Sequence, residues 1–440
     1  MTPPRPADLL LHLHRAALAA ADPEAATARW LHAHPAALRR PPTAWTLVAV
    51  GKAAQPMMAA ALAAVPTPAH ALAIVPHATL IHPPDPRATW LEAAHPVPDD
   101  ASLRAATRLL DLATSLNGPT HRVLFLLSGG ASALLAAPAP GLTLAELRAT
   151  TATLLRAGAP ITAVNVVRRH LSALKGGHLA RAFAPAPVLS LILSDVVTDE
   201  LAAIGSGPTA PDPSTFADAL AILHAHDLPP HLPLAVLAHL TAGAAGLRPE
   251  TLDPSDPRCA DLQHHIVGSG ALAASAVATE AARLGLTASI QSTTLTGEAR
   301  QIGSTLALDA LHAPPSTPDL LIYAGELTVT VTGTGTGGRN QEAALAAAIA
   351  LDAHPGLTLA FLTTDGLDGP TNAAGAIIDA STAATGRALG LDPAAHLANN
   401  DSHTFLDAVG ALVRTGPTRT NVNDLVMVLR DRGSIAIELK

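Results

Sequence analysis

The stretch RVLFLLSGGASALLAAP, residues 122–138, decides how the first half of this chain folds. Val123 to Leu127 form an unbroken apolar run, followed at once by Ser128, Gly129 and Gly130. A strand that alternates apolar and polar residues covers one face. An unbroken apolar run belongs to a strand buried on both faces, the signature of a parallel sheet under helices. The same design recurs at TLVAVG (46–51), ALAIVP (71–76) and VLSLILSD (188–195). Helical patterns lie between these runs, including QPMMAAALAAV (55–65) and DASLRAATRLLDLATSLN (100–117). The expectation is a Rossmann-like, three-layer α/β domain. Ligands of such sheets bind beyond the carboxyl ends of the strands. That singles out Gly51-Lys52, Ser128-Gly129-Gly130 and Ser194-Asp195.

At 440 residues the chain is too long for one ordinary core, so two domains are expected. Hydrophobic residues make up 49% but aromatics only 2%, so alanine, leucine and valine must fill the interior. Mean hydropathy is +0.31, yet no uncharged apolar run reaches the roughly 20 residues a membrane span requires. His12, His14 and Arg15 interrupt the apolar N-terminal segment, which argues against a signal peptide. The single cysteine, Cys259, excludes an internal disulfide and fits a reducing, cytoplasmic setting. A formal charge of -8 with few aromatics speaks against nucleic acid as a partner. Residues 224–265, rich in proline and histidine, read as a connection between domains with a short helix inside it. The division is set at 1–245 and 246–440. The second half resumes with strand patterns at 265–270, 287–293 and 357–370, a pair of strands within 319–331, and a last strand at 421–432.

Several motifs carry candidate chemistry. Lysine occurs only at Lys52, Lys175 and Lys440, with arginine supplying nearly all other positive charge. A lysine kept inside a strand-to-helix turn is suited to act as a compact point charge. Lys52 follows Gly51 in such a turn, although the Walker A spacing is absent. Ser128, Gly129, Gly130 and Ser132 offer hydroxyls and close backbone approach, or simply a tight turn. The segment 165–181 carries Arg168, Arg169, His170, Lys175, His178 and Arg181, either an anion-attracting helix face or a solvated surface helix. Asp195 and Asp199 follow one strand, and Asp365 and Asp368 flank Gly366 after another. Such carboxylates suit a magnesium ion or a proton acceptor, and equally serve caps and turns. Asn421, Asn423 and Asp424 stand immediately before an apolar run as ligand contacts or Asx-turns. The histidines include three H-x-H pairs, but no Cys/His/carboxylate set has zinc spacing.

The segment VTVTGTGTGGRNQEAALAAAIAL (329–351) poses the sharpest choice. Gly333, Gly335 and Gly338 satisfy the G-x-G-x-x-G dinucleotide fingerprint. That motif wants an acidic residue about 20 positions on, at the end of the second strand. Here Asp365 lies 27 residues beyond the last glycine. Arg339, Asn340, Gln341 and Glu342 stand where the fingerprint needs small residues. An arginine at a helix start beside glycine amides suits a transferring phosphoryl group instead.

The chain resembles the class of glycerate 2-kinases that includes bacterial proteins long labelled hydroxypyruvate reductase. The stretches that carry the resemblance are VGKAA, HPVPD (95–99), LLSGGASALL, NVVRRHLSALKGGHLA, LSDVVTDELAAIGSGPTAPDPST, GELTVTVTGTGTGGRNQE, TTDGLDGPTNAAGA, NNDSHTF and GPTRTNVNDL. They run in family order from about residue 48 to 426. The resemblance implies two α/β domains, the second of the type named for its M-O-F-R-L segment, with the active site in a cleft between them. It implies transfer of the ATP γ-phosphoryl group to the 2-hydroxyl of D-glycerate or a related hydroxy acid, with Mg2+. The family's key lysine falls on Lys52, its key arginine on Arg339 and its aspartate on Asp195. Thr198, Asn372 and Arg419 depart from the common pattern. The expected catalytic set is Lys52, Arg339 and Asp195, with magnesium on Asp195 and Asp365. The expected substrate and nucleotide set is Ser128, Gly129, Gly130, Ser132, Lys175, Gly335, Gly337, Gly338, Asn340, Asp365, Asp368, Asn421 and Asn423. A homodimer is one assembly these features leave open. Two rivals stand beside the kinase: an NAD(P)H-dependent hydroxypyruvate reductase and a non-catalytic sugar-acid-binding protein.

Overall fold

The computed structural model describes residues 5–38, 44–116 and 121–431; Lys440 lies outside them. The apolar run around Leu124 forms β4 (His121–Leu127) of a six-stranded sheet. Its companions are β1 (Ala44–Val50), β2 (His70–Pro76), β3 (Thr89–Ala93), β5 (Val188–Leu193) and β6 (Leu262–Gly268). The order across the sheet is β3-β2-β1-β4-β5-β6. β3, β2, β1, β4 and β5 run parallel, with Val50 opposite Leu127 and Leu127 opposite Ile192. Every residue of β5 is buried, as is β1 beyond its first residue, which is the two-sided burial the unbroken apolar runs predict. The helix Ala54–Ala64 lays Met57, Met58, Ala61 and Leu62 into this core. Asp99 and Ser102 start the helix Asp100–Ser115 with a reciprocal capping box.

A second six-stranded sheet has the order β11-β10-β9-β12-β8-β7. Its strands are β7 (Ala288–Glu298), β8 (Leu320–Thr328), β9 (Leu357–Thr363), β10 (Gly375–Asp379), β11 (Leu412–Val413) and β12 (Asp424–Arg430). β7 and β8 are parallel, whereas β12 runs antiparallel between β8 and β9. The expected pair of strands within 319–331 is instead the single strand β8, because Gly325 stays in the ladder, opposite Asp424 and Leu295, and makes no turn. The helix Pro6–Ala20 buries Leu9, Leu10, Leu13 and Ala17 and packs on the helix Gly270–Arg283. Its end is fastened where Thr420 Oγ1 donates to the carbonyl of Ala21.

The chain divides differently from the single break expected after residue 245. The parallel-sheet unit comprises Pro23–Leu193 and Asp199–Val267. The mixed-sheet unit takes the residues up to Asp22, the short passage Ser194–Thr198, and everything from Gly268. Residues 224–265 are not a linker. Leu228, Leu232, Val236 and Leu240 join Phe216, Val164 and Val167 in a buried cluster, and β6 completes the edge of the parallel sheet. The cation-rich stretch is not one helix either. It forms Ile161–His170 and His178–Phe183, separated by a turn in which Gly176 and Gly177 adopt positive φ. Among the described residues, no helix is long and apolar enough to cross a membrane.

Small residues let elements approach closely. In the mixed-sheet unit, the helices Ala299–His312 and Arg339–Ala350 meet at Gly303, where a Cβ would stand 2.0 Å from the carbonyl oxygen of Ala343. Gly303→Ala gains about 1 kcal/mol of helix propensity. Overpacking that forces backbone apart costs about 1–3 kcal/mol. The clash is with backbone, so it wins. The variant is expected to unfold at lower denaturant than the parent, and an unchanged midpoint would remove this contact as a constraint.

Candidate functional site

In the parallel-sheet unit the tips of β1 and β4 interlock. Ser128 N donates to the carbonyl of Val50, and Lys52 N donates to that of Gly129 at 2.9 Å. Ser128 Oγ accepts the amide of Ala53 at 3.0 Å. Gly51 has φ +127, and a Cβ there would lie 2.2 Å from that hydroxyl oxygen. Ser128 is therefore a buried fastener of the turn, and its hydroxyl is not offered to a ligand. Gly129 and Gly130 carry the chain past it, with Gly130 in left-handed geometry against the His95 ring and the Lys52 stem. Lys52 itself is exposed. Burial first, then the Lys52 charge, push the His95 imidazole below its ordinary value. Two residues on, Ser132 Oγ accepts from Arg168 Nη2 at 2.7 Å and bonds Ser206 Oγ at 2.8 Å. Lys175 is no surface lysine: it is 4% exposed, and its Nζ donates to the carbonyls of Ser132 and Leu135.

In the mixed-sheet unit, topology gathers acids from distant sequence. β12 starts with Asp424, opposite both Gly325 at the carboxyl end of β8 and Thr363 at that of β9. Antiparallel insertion thus brings Glu326, Asp424 and Asp365 to one end of the sheet. Arg339 lies among them at the start of its helix. Its Nε and Nη2 bind Asp424 Oδ2 and Oδ1 at 2.6 and 3.0 Å, a two-pronged pair, while Nη1 is 3.0 Å from Glu326 Oε1. Burial opposes the Arg339 charge, but Asp424, Glu326 and Asp368 outweigh it and hold the guanidinium firmly protonated. Burial pushes the Glu326 carboxyl up, Arg339 draws it down, and Asp424, Asp195 and Asp365 push it up again. Its net direction is upward, and Asp195 belongs electrostatically to the same group. Asp424 and Glu326 thus hold the guanidinium directly, while Asp195 and Asp365 act on Glu326. Among the described residues, no three His, Cys, Asp or Glu side chains form a ready-made metal cage. A magnesium ion bound with a nucleotide needs only one or two carboxylates beside the phosphates, which this donor set can supply.

The glycine loop is held by the segment Asn399–His403. Asn400 Oδ1 accepts the amides of Thr332 and Gly333, Asn399 Oδ1 that of Thr334, and Asp401 Oδ1 that of Thr336. Gly335 N donates to the carbonyl of Asn399. The helix start is also taken: Asp368 accepts the amides of Asn340 and Gln341 at 3.1 and 2.9 Å. Asp368 is 2% exposed, and burial raises its carboxyl despite these bonds. It is thus the cap of the Arg339–Ala350 helix, and Asn340, fully buried beside it, supports the same cap. Asn421 and Asn423 shape the turn into β12: Asn421 Oδ1 accepts Asn423 N, and the Asn423 carbonyl accepts from Thr364. Asp365 Oδ1 accepts from Leu367 N and Thr363 Oγ1. Gly337, Gly338 and Arg339 remain in the wall of a cavity of about 700 Å3. Leu327, Val329, Val331 and Pro370 form its apolar side and Glu326 part of its polar side.

Two partners of Arg339 were not assigned that role from sequence. Glu326 carried a signal, being the one charge inside an otherwise apolar strand run. Asp424 ends a polar stretch that leads into an apolar run, and only strand register pairs it with Arg339.

Comparison with known proteins finds two family matches, one in each half of the chain. Residues 9–241 match a domain of unknown function, DUF4147, and residues 319–424 match the MOFRL family. The D-glycerate 2-kinase of Thermotoga maritima is 40% identical over 343 residues, 77% of this chain and 79% of that protein. A protein of Agrobacterium vitis with a provisional hydroxypyruvate reductase label is 39% identical over 433 residues, 96% of this chain and 94% of its own. A crystal structure of Thermotoga maritima glycerate kinase superposes with a TM-score of 0.86 at 38% identity, covering 96% of this chain and 99% of that one.

Asp368→Ala removes a buried cap and strands two amides. The expected loss is about 1–2 kcal/mol, measured as a lower thermal midpoint. An unchanged midpoint would return Asp368 to the list of ligand groups.

Proposed function

Since the chain belongs to the glycerate kinase family that pairs DUF4147 with MOFRL, we propose that it is an ATP-dependent D-glycerate 2-kinase acting in the cytoplasm. The observation that carries the reading is Arg339, held charged and oriented by Asp424 and Glu326 at the wall of a nucleotide-sized cavity. The apolar side of that cavity suits a purine ring. The Gly337 and Gly338 amides and the Arg339 guanidinium suit phosphate oxygens. A group of carboxylates around Glu326 would repel a bare polyphosphate, so the nucleotide should arrive with its cation. Asp195 and Asp365 would hold Mg2+, which supplies charge neutralisation on the phosphates.

The 2-hydroxyl oxygen of glycerate attacks the γ-phosphorus, the bond to the β,γ-bridging oxygen breaks, and ADP leaves with that electron pair. Phosphoryl transfer needs positioning and charge balance more than covalent help from the protein. Arg339 provides a pre-oriented positive charge. Lys52 provides a mobile one at the β1 turn. Asp195 either completes the cation's ligands or takes the hydroxyl proton. The pH profile of kcat in Asp195→Asn separates these roles: loss of an acid limb marks the base, and a raised magnesium requirement marks the ligand.

Hydride transfer is less favoured. The amides that a pyrophosphate would use at the helix start already bind Asp368, and β8 and β9 are separated by an antiparallel strand. A dinucleotide unit would place those strands side by side.

The purified protein is expected to release ADP with D-glycerate and Mg2+, to form 2-phosphoglycerate rather than 3-phosphoglycerate, and to stop on chelation. Lys52→Ala and Arg339→Ala should each lower kcat by about 100-fold or more, with the fold retained by circular dichroism. Near-normal turnover in both variants would overturn the assignment. Oxidation of NADH or NADPH with hydroxypyruvate would replace it by the reductase.

A further inference from the structure

The parallel-sheet unit contains a second cavity, of about 670 Å3, that none of the foregoing uses. It opens beside the turn after β4, and Ser132, Arg168, Ser172 and Lys175 form its polar wall. Apolar side chains, among them Val97, Leu154, Val167 and Leu171, make up most of the remainder. Arg148 lies at its exposed side. The charges facing this space are therefore Arg148, Arg168 and Lys175, and no aspartate or glutamate lines it among the described residues.

The neighbouring residue shows how unusual this is. Arg169 is the more deeply buried of the two, but its Nε binds Asp212 at 2.7 Å, and its other donors reach Ala202 and Ser214. Arg168 has only neutral partners, Ser132 Oγ at 2.7 Å and Asn165 Oδ1 at 3.5 Å. Lys175 likewise donates only to two carbonyls. A guanidinium has five donors and an ammonium three, so both keep unused capacity. Holding a buried and a half-buried cation together without a counter-ion is unfavourable. Burial pushes Arg168 down, and burial with Arg168 pushes Lys175 well down. An anion entering the cavity would relieve both.

We propose that this cavity is a carboxylate-binding site in which Arg168 grips the carboxylate of the acceptor and Lys175 supplies the positive charge behind it. Ser132 positions Arg168 from the end of the β4 turn, which also carries Lys52 against Gly130. The acceptor's identity as glycerate rests on the kinase reading; the anion site does not. The cationic stretch 165–181 thereby divides into a structural half, Arg169 with Asp212, and a ligand half, Arg168 with Lys175.

The test compares the parent with Arg168→Gln and Arg168→Lys. Losing a charged hydrogen bond to the carboxylate should raise KM for D-glycerate by about 10- to 100-fold. KM for ATP and the thermal midpoint should stay put, and Arg168→Lys should recover part of the loss. The parent should discriminate strongly against glyceramide, which lacks the charge, and Arg168→Gln should lose that preference. An unchanged KM for D-glycerate, or a change shared equally by ATP and stability, would overturn the proposal. Should the parent lack kinase activity, titration calorimetry with D-glycerate still decides. Binding to the parent that Arg168→Gln abolishes sustains the anion site without the kinase reading, and equal binding or none sinks it.

Discussion

The pairing of Arg339 with Asp424 is the interaction on which the mixed-sheet unit turns. It joins the first residue of a buried helix to the first residue of the central antiparallel strand. The pair forms only because β12 enters between β8 and β9 in the opposite sense, so that its beginning meets their ends. Glu326 and Asp365 are already at that end, since β8 and β9 run in the same sense and finish there. A side chain held by two carboxylates gives up conformational freedom, and an arginine already oriented has little more to lose on contact with any anion. The helix start needs no phosphate for its own stability, since Asp368 supplies the negative charge its amides require.

The parallel-sheet unit works by steric exclusion. Gly51 and Ser128 occupy each other's space so closely that neither position has room for a larger group. That interlock fixes where Lys52 leaves the backbone and where the chain turns toward Ser132. Fixed backbone with one exposed, flexible ammonium is a combination suited to a group that must follow a moving charge.

Periodicity could be read wherever a segment's environment was uniform. Val48, Phe125 and Leu191 sit in strands covered on both faces, so the sequence there has no reason to alternate and its apolar runs end at true strand ends. Leu228, Leu232, Val236 and Leu240 were harder to place, because prolines and histidines between them resemble a linker while the apolar residues form a core. The family resemblance singles out Lys52, Asp195 and Arg339, but the work of Ser128, Asp368 and Asn423 depends on partners far away in sequence. Asp368 reads as half of an Asp-Gly turn until Asn340 and Gln341 are seen to point their amides at it. Lys175 reads as a surface cation until its nitrogen is found on two carbonyls. Hydrogen-bond bookkeeping of this kind is a property of three-dimensional neighbours, and one-dimensional spacing does not contain it.

The division of the chain has an optical consequence. Trp30, Trp45 and Trp90 are the three tryptophans of the protein, and all belong to the parallel-sheet unit, whereas the sole tyrosine, Tyr323, belongs to the mixed-sheet unit. Indole emission therefore reports on one half of the molecule. An unfolding curve followed by tryptophan fluorescence would trace the Lys52 half and stay nearly blind to the Arg339 half, which Tyr323 absorbance, backbone-sensitive methods or calorimetry would register.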